Sequence, residues 1–143
     1  MALKQLTIFV ENKQGTVVEV TKALAANDIN IRALSIAETE GFGILRLIVD
    51  EEKKAEAVLT EAGYLIKITE VAGVKIGDAP GKLSGALVVL KEAGINIEYM
   101  YAFMARTEKH AYVVLRVEDN SVAEAALTAA GFKMISEDDI NKL

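Results

Sequence analysis

The tripeptide Ile-Asn-Ile occurs twice, at 29–31 and at 95–97. The interval between its asparagines (96 − 30 = 66) also separates Gly15 from Gly81 and Leu24 from Leu90. Further on, Leu59 matches Leu127 and Gly63 matches Gly131 at an interval of 68 (127 − 59, 131 − 63), so the second copy carries two extra residues, which we place in the hairpin around "ARTEKH" at 105–110. Self-similarity on this scale predicts one structural unit per copy. The copies meet near Thr69 to Ala72, which predicts modules at 1–70 and 71–143. Each is small, but 52% hydrophobic residues are enough to fill two cores.

Hydrophobic periodicity gives the elements of each copy. Leu6, Ile8 and Val10 alternate with Gln5, Thr7 and Phe9 as a strand. Past Gly15 the spacing of Val17, Val20 and Leu24 is helical. "INIRALSIAE" and "ILRLIVD" are strands on either side of the turn "TEGFG". Ala55, Val58, Leu59 and Ala62 share a helical face that Gly63 ends, and "YLIKIT" is a fourth strand. The second copy repeats the order: "VAGVKI", a helix carrying Leu83, Leu87 and Leu90, "INIEYMYAFMA", "AYVVLRV", a helix from "NSVAEAALTAAG", and "FKMIS". Ser121 and Glu124 have the spacing of a capping box for the last helix. Strands joined through a helix lie parallel and the middle pair is a hairpin, so βαββαβ predicts an antiparallel sheet with helices on one face. The expected class is α+β, two ferredoxin-like modules in tandem, joined side by side.

Charge narrows the function. Sixteen basic and 21 acidic residues give a net charge of −5, which disfavours nucleic acid and anionic membranes as partners. One histidine and no cysteine cannot build a zinc site or a thiolate nucleophile, so neither a metal nor a cofactor is expected. No stretch approaches the length of a membrane span, and the apolar part of "MALKQLTIFVENK" is too short for a signal peptide, so a cytoplasmic protein is expected. His110, beside Glu108 and Lys109, reads as a solvated turn residue, and Asp138 and Asp139 as solvated residues of a polar tail.

The strongest local signal is "GDAPGKL" at 77–83, with the chain's one proline beside Gly81 ahead of a helix. Such a turn either presents backbone amides to a carboxylate, or is closed by Asp78 as a helix cap and binds nothing. "D-A-P-G-K-L" followed by "A-G-I-N-I" at 93–97 resembles the ACT domain, a module that senses free amino acids. "N-K-Q-G-T-V" at 12–17 with "N-D-I-N-I" at 27–31 resembles a weaker version of the same pattern.

The resemblance covers almost the whole chain and implies a stand-alone tandem ACT protein. It implies a regulatory, non-catalytic sensor with a free amino acid bound where the modules meet. By this resemblance Asn12, Gln14, Gly15 and Thr16 would serve one ligand with Asn96 and Ile97. Asp78, Ala79, Pro80, Gly81, Lys82 and Leu83 would serve another with Asn30 and Ile31. The chemistry is compatible, because an asparagine side chain offers both a donor and an acceptor to a zwitterion. A ligand-free dimerisation module is the alternative, and a small enzyme the more distant one. Tyr99, Tyr101 and Phe103 fall on one face of their strand and Met100, Ala102 and Met104 on the other. One set must face away from the helices, which predicts packing on a neighbour, a homodimer or larger assembly, or a lining for an apolar ligand side chain.

Overall fold

Leu6, Ile8 and Val10 turn one face of β1 (Leu3–Glu11) into a core while Gln5, Thr7 and Phe9 take the other. The structure, a computed structural model, describes residues 2–11, 13–104 and 109–143, so Asn12 and most of the expected insertion lie outside the described residues. β1 is followed by α1 (Thr16–Ala26), β2 (Ile31–Thr39), β3 (Phe42–Val49), α2 (Glu52–Glu61) and β4 (Leu65–Gly77). Then come α3 (Lys82–Glu92), β5 (Ile97–Ala102), β6 (His110–Val117), α4 (Asn120–Ala129), β7 (Lys133–Met134) and α5 (Glu137–Ile140).

The chain divides into a first unit, Lys4–Thr69, and a second unit, Glu70–Leu143 with Met1–Leu3. The boundary falls inside β4, where periodicity had separated "YLIKIT" from "VAGVKI". In the first unit the strand order is β2-β3-β1-β4; in the second it is β7-β4-β6-β5. Every register determined in either unit is antiparallel. Both orders are those of a βαββαβ sandwich, and the α+β reading of the sequence holds.

Each unit has its own core. Leu6, Ile8, Leu24, Leu45, Leu47 and Leu59 close the first, and Val74, Leu90, Leu115, Val117 and Leu127 the second. A buried aliphatic side chain of this size stabilises by about 1.5–3 kcal/mol relative to an exposed one, so the sheet-to-helix face carries the fold. The helical faces differ in detail from the periodicity. Thr16, rather than Val17, is buried with Val20 and Leu24 in α1. In α3 the inward residues are Ala86 and Leu90, which rotates Leu83 outward to 39% exposure.

Both second strands carry a bulge at the same place in the repeat. β2 pairs Ile31 with Val49 and then Ala33 with Ile48; β5 pairs Ile97 with Val117 and then Tyr99 with Arg116. The extra residues are Arg32 and Glu98, again 66 apart (98 − 32). A bulge shifts the two-residue alternation by one. Ile31 and Leu34, three apart, therefore both reach the first core, and Ile97 and Met100 both reach the second. Met100 points inward, which leaves Tyr99 and Tyr101 on the face away from α3 and α4. There Phe103 is buried and meets Tyr112 edge-on at 6.4 Å.

The C-terminal part corrects three expectations. α4 is capped by Asp119, whose carboxylate accepts from Val122 N–H, so Ser121 and Glu124 form no capping box. The box exists at α5, where Ser136 and Asp139 cap each other's backbone, and Asp139 is thus bonded rather than merely solvated. His110 opens β6 opposite Gly77 instead of lying in a turn. On the face of the first sheet away from its helices, fully buried Gln5 donates to Thr7, whose hydroxyl meets that of Thr69 at 3.1 Å. An amide and two hydroxyls joined in this way supply no group that titrates near neutral pH.

Candidate functional site

The two glycine turns are built alike. Gly15 caps α1 with φ 91° and Gly81 caps α3 with φ 87°, both left-handed, and no side chain closes either helix start. A helix leaves its first amides without intrahelical partners, so an uncapped start exposes donors and the positive end of the dipole. Asp78 does not cap α3: its backbone N–H donates to Lys109 carbonyl, and the turn closes through Lys82 N–H to Ala79 carbonyl. Ala79, Pro80 and Gly81 are exposed beside it. Lys82 lays its aliphatic stem along the backbone of Gly77. In the first unit Gln14 and Gly15 are exposed, whereas Thr16 is buried and its hydroxyl donates to Lys13 carbonyl. Thr16 thus shapes the turn from below.

Within one unit the turn and the asparagine do not meet. In the second unit Gly77, at the turn, pairs with His110, while Ile97, beside Asn96, pairs with Val117 at the other end of β6. Seven strand residues (117 − 110) put those ends roughly 24 Å apart. The first unit has the same layout, with Val10 opposite Gly43 and Ile31 opposite Val49.

The asparagines differ in their surroundings, though both are exposed. Asn30 is tied to Asp50 by two bonds, its N–H donating to Oδ1 at 3.0 Å and its carbonyl accepting from Asp50 N–H at 3.2 Å. Asn96 lines an open groove of about 1160 Å³ together with Glu98, Arg116, Glu118, Asn120 and Ser121. The register that sets Tyr99 against Arg116 sets Ala33 against Ile48, so the first copy has a buried isoleucine where the second has the guanidinium. Arg116 donates from Nη1 to Glu70 carbonyl at 3.0 Å and has Glu98 Oε2 3.6 Å from Nε. Sequence reading passed over this residue because a lone arginine on a strand carries no motif. Only the topology, which brings the β6–α4 connection to the end where Asn96 lies, could have drawn notice to it.

Among the described residues no group of acids and histidines could hold a metal ion, and no helix is long and apolar enough to cross a membrane.

No protein of curated function is detectably similar to the chain. Solved structures are. A protein of Bacteroides thetaiotaomicron, BT0572, is 38% identical, with 100% of this chain and 98% of that one covered and a TM-score of 0.92. The regulatory subunit of aspartate kinase from Thermus thermophilus shares the fold at 19% identity, covering 90% and 92% of the two chains with a TM-score of 0.68. The corresponding subunit from Thermus flavus does so at 20% identity, 89% and 91% coverage, and a TM-score of 0.58. The profile of the ACT domain pair spans residues 1–143. With two βαββαβ units, a matching profile over its full length and a near-superimposable relative, the chain belongs to the ACT domain pair family.

Proposed function

We propose that the chain is a regulatory protein that binds a free amino acid and has no catalytic activity of its own. The observation that carries this reading is the left-handed glycine ahead of both α1 and α3, with each helix start left unclosed by any side chain. Nothing stands within 4 Å of where a β-carbon would be at either glycine, so a carboxylate can approach the backbone amides there. The residues we assign to ligands are Asn12, Gln14, Gly15 and Thr16 of the first turn and 78–83 of the second, with Asn30, Ile31, Asn96 and Ile97. Aspartate kinase regulatory subunits among the fold neighbours are in keeping with a regulatory role. We place the protein in the cytoplasm, acting as a homo-oligomer without nucleic acid or membrane partners.

A thermal-shift series with the twenty standard L-amino acids tests the reading. A ligand that binds only the folded state stabilises it by about 2.7 kcal/mol at a hundredfold excess over its dissociation constant. At least one amino acid should raise the melting temperature, and Asn96→Ala should remove most of that shift while changing the ligand-free melt little. No shift with any of the twenty would sink the reading and leave the ligand-free interaction module. That second reading draws on exposed apolar side chains, Ile36 on β2 and Val88 on α3.

A further inference from the structure

The groove beside Asn96 holds groups of both signs. Arg116 is the one cation among its described lining residues, and 29% of its side chain is exposed. The 3.0 Å bond from Nη1 to Glu70 carbonyl fixes the plane of the guanidinium and leaves further N–H groups of the fork available. Glu98, its charged neighbour at 3.6 Å, is 49% exposed. An ion pair this long and this wet contributes little, so a ligand carboxylate can take the place of Glu98 at small cost. Asn96 and Glu118, on the same groove, offer oxygen acceptors to an ammonium group.

We propose that this groove is an α-amino-acid site in which Arg116 receives the carboxylate, Asn96 and Glu118 receive the ammonium, and Glu98 is the competitor that the ligand displaces. The proposal rests on the reading that the chain binds a free amino acid, and it names the residue that recognises the acid group. A carboxylate accepts at two oxygens, so two N–H groups of the Arg116 guanidinium can serve it together. A guanidinium requirement makes the free acid the preferred form and its carboxamide a poor substitute.

Calorimetry with the amino acid giving the largest thermal shift, and with its α-carboxamide, tests this on wild type, Arg116→Gln, Arg116→Lys and Glu98→Gln. Wild type should prefer the acid at least tenfold. Arg116→Gln should weaken the acid by about tenfold or more and bring the acid-to-amide ratio near one, in line with a lost charge-assisted hydrogen bond. Arg116→Lys should retain part of the preference, and it carries the test if the glutamine variant folds poorly. Glu98→Gln should strengthen acid binding a fewfold. Unchanged acid affinity in Arg116→Gln, or equal losses for acid and amide, would overturn the proposal while amino-acid binding itself stood. Absence of binding by any amino acid to wild type would remove both.

Discussion

Leu3 Cδ1 lies 2.6 Å from the point where a β-carbon on Gly73 would stand, and Ile135 Cβ lies 3.2 Å from it. Ile135 also donates its N–H to Gly73 carbonyl at 2.8 Å. Glycine is therefore required at 73 for space alone, since its φ is not left-handed. Gly73→Ala should destabilise the second unit by about 1–3 kcal/mol through overpacking. Thermal unfolding checks it, and Leu3→Ala in the same chain should return part of the loss because the two positions are in contact.

At Gly81 the opposite holds: no atom crowds the site, and the backbone alone is demanding. Gly81→Ala should cost about 1–2 kcal/mol, the penalty of a left-handed L-residue, and Gly81→Asn less. A β-branched valine should cost the most. Equal melts for asparagine and valine would show that the turn relaxes to another conformation. Because valine strains the fold, Gly81→Asn is the better variant for separating binding from stability.

Hydrogen bonds from the Ser136 backbone N–H and then its hydroxyl hold the Asp139 carboxyl below the usual carboxylate range, with Lys133 and Lys142 adding to the effect against some desolvation. A carboxyl with a depressed folded value stabilises above its unfolded pKa of about 3.9 and loses that contribution as pH falls through the folded value. Wild type should melt higher than Asp139→Asn at neutral pH, and the gap should close on acidification below about pH 4. Ser136→Ala should lower stability by roughly 1 kcal/mol as a lost cap. A gap that persists at low pH would separate the aspartate's role from its charge.

β2 pairs only with β3, and β5 only with β6, so each unit ends in an open strand edge among its described residues. Ile36 on β2 is 54% exposed and Phe42, across the hairpin, 43%. Uncovered edges with apolar side chains favour pairing with a further strand. Light scattering should give at least twice the chain mass at micromolar concentration, and Ile36→Lys should shift the population toward the single chain. A monomer mass for wild type across dilution would refute this.

The repeat, the element order and both cores were legible because burial writes a period into Leu6, Ile8 and Val10 or into Leu24 and Leu90. The bulges were not. One extra residue at Arg32 or Glu98 leaves composition unchanged and shows only as a three-residue spacing from Ile31 to Leu34 or from Ile97 to Met100. α5 was missed because four residues are too few for a period, although Ser136 and Asp139 stood at capping distance. The glycine turns were found by their chemistry; Arg116 was not, since its meaning comes from a neighbour at the far end of another strand.

The exchange of Ile48 for Arg116 between equivalent strands bears on stoichiometry. The two copies share one backbone, but a ligand that must find a guanidinium at this position of the third strand has it in the second copy alone, the first copy's Arg32 standing on the bulge of β2 instead. Saturation should then be reached at one molecule per chain, and a titration curve with a single step would mark the halves as former equals with divided labour.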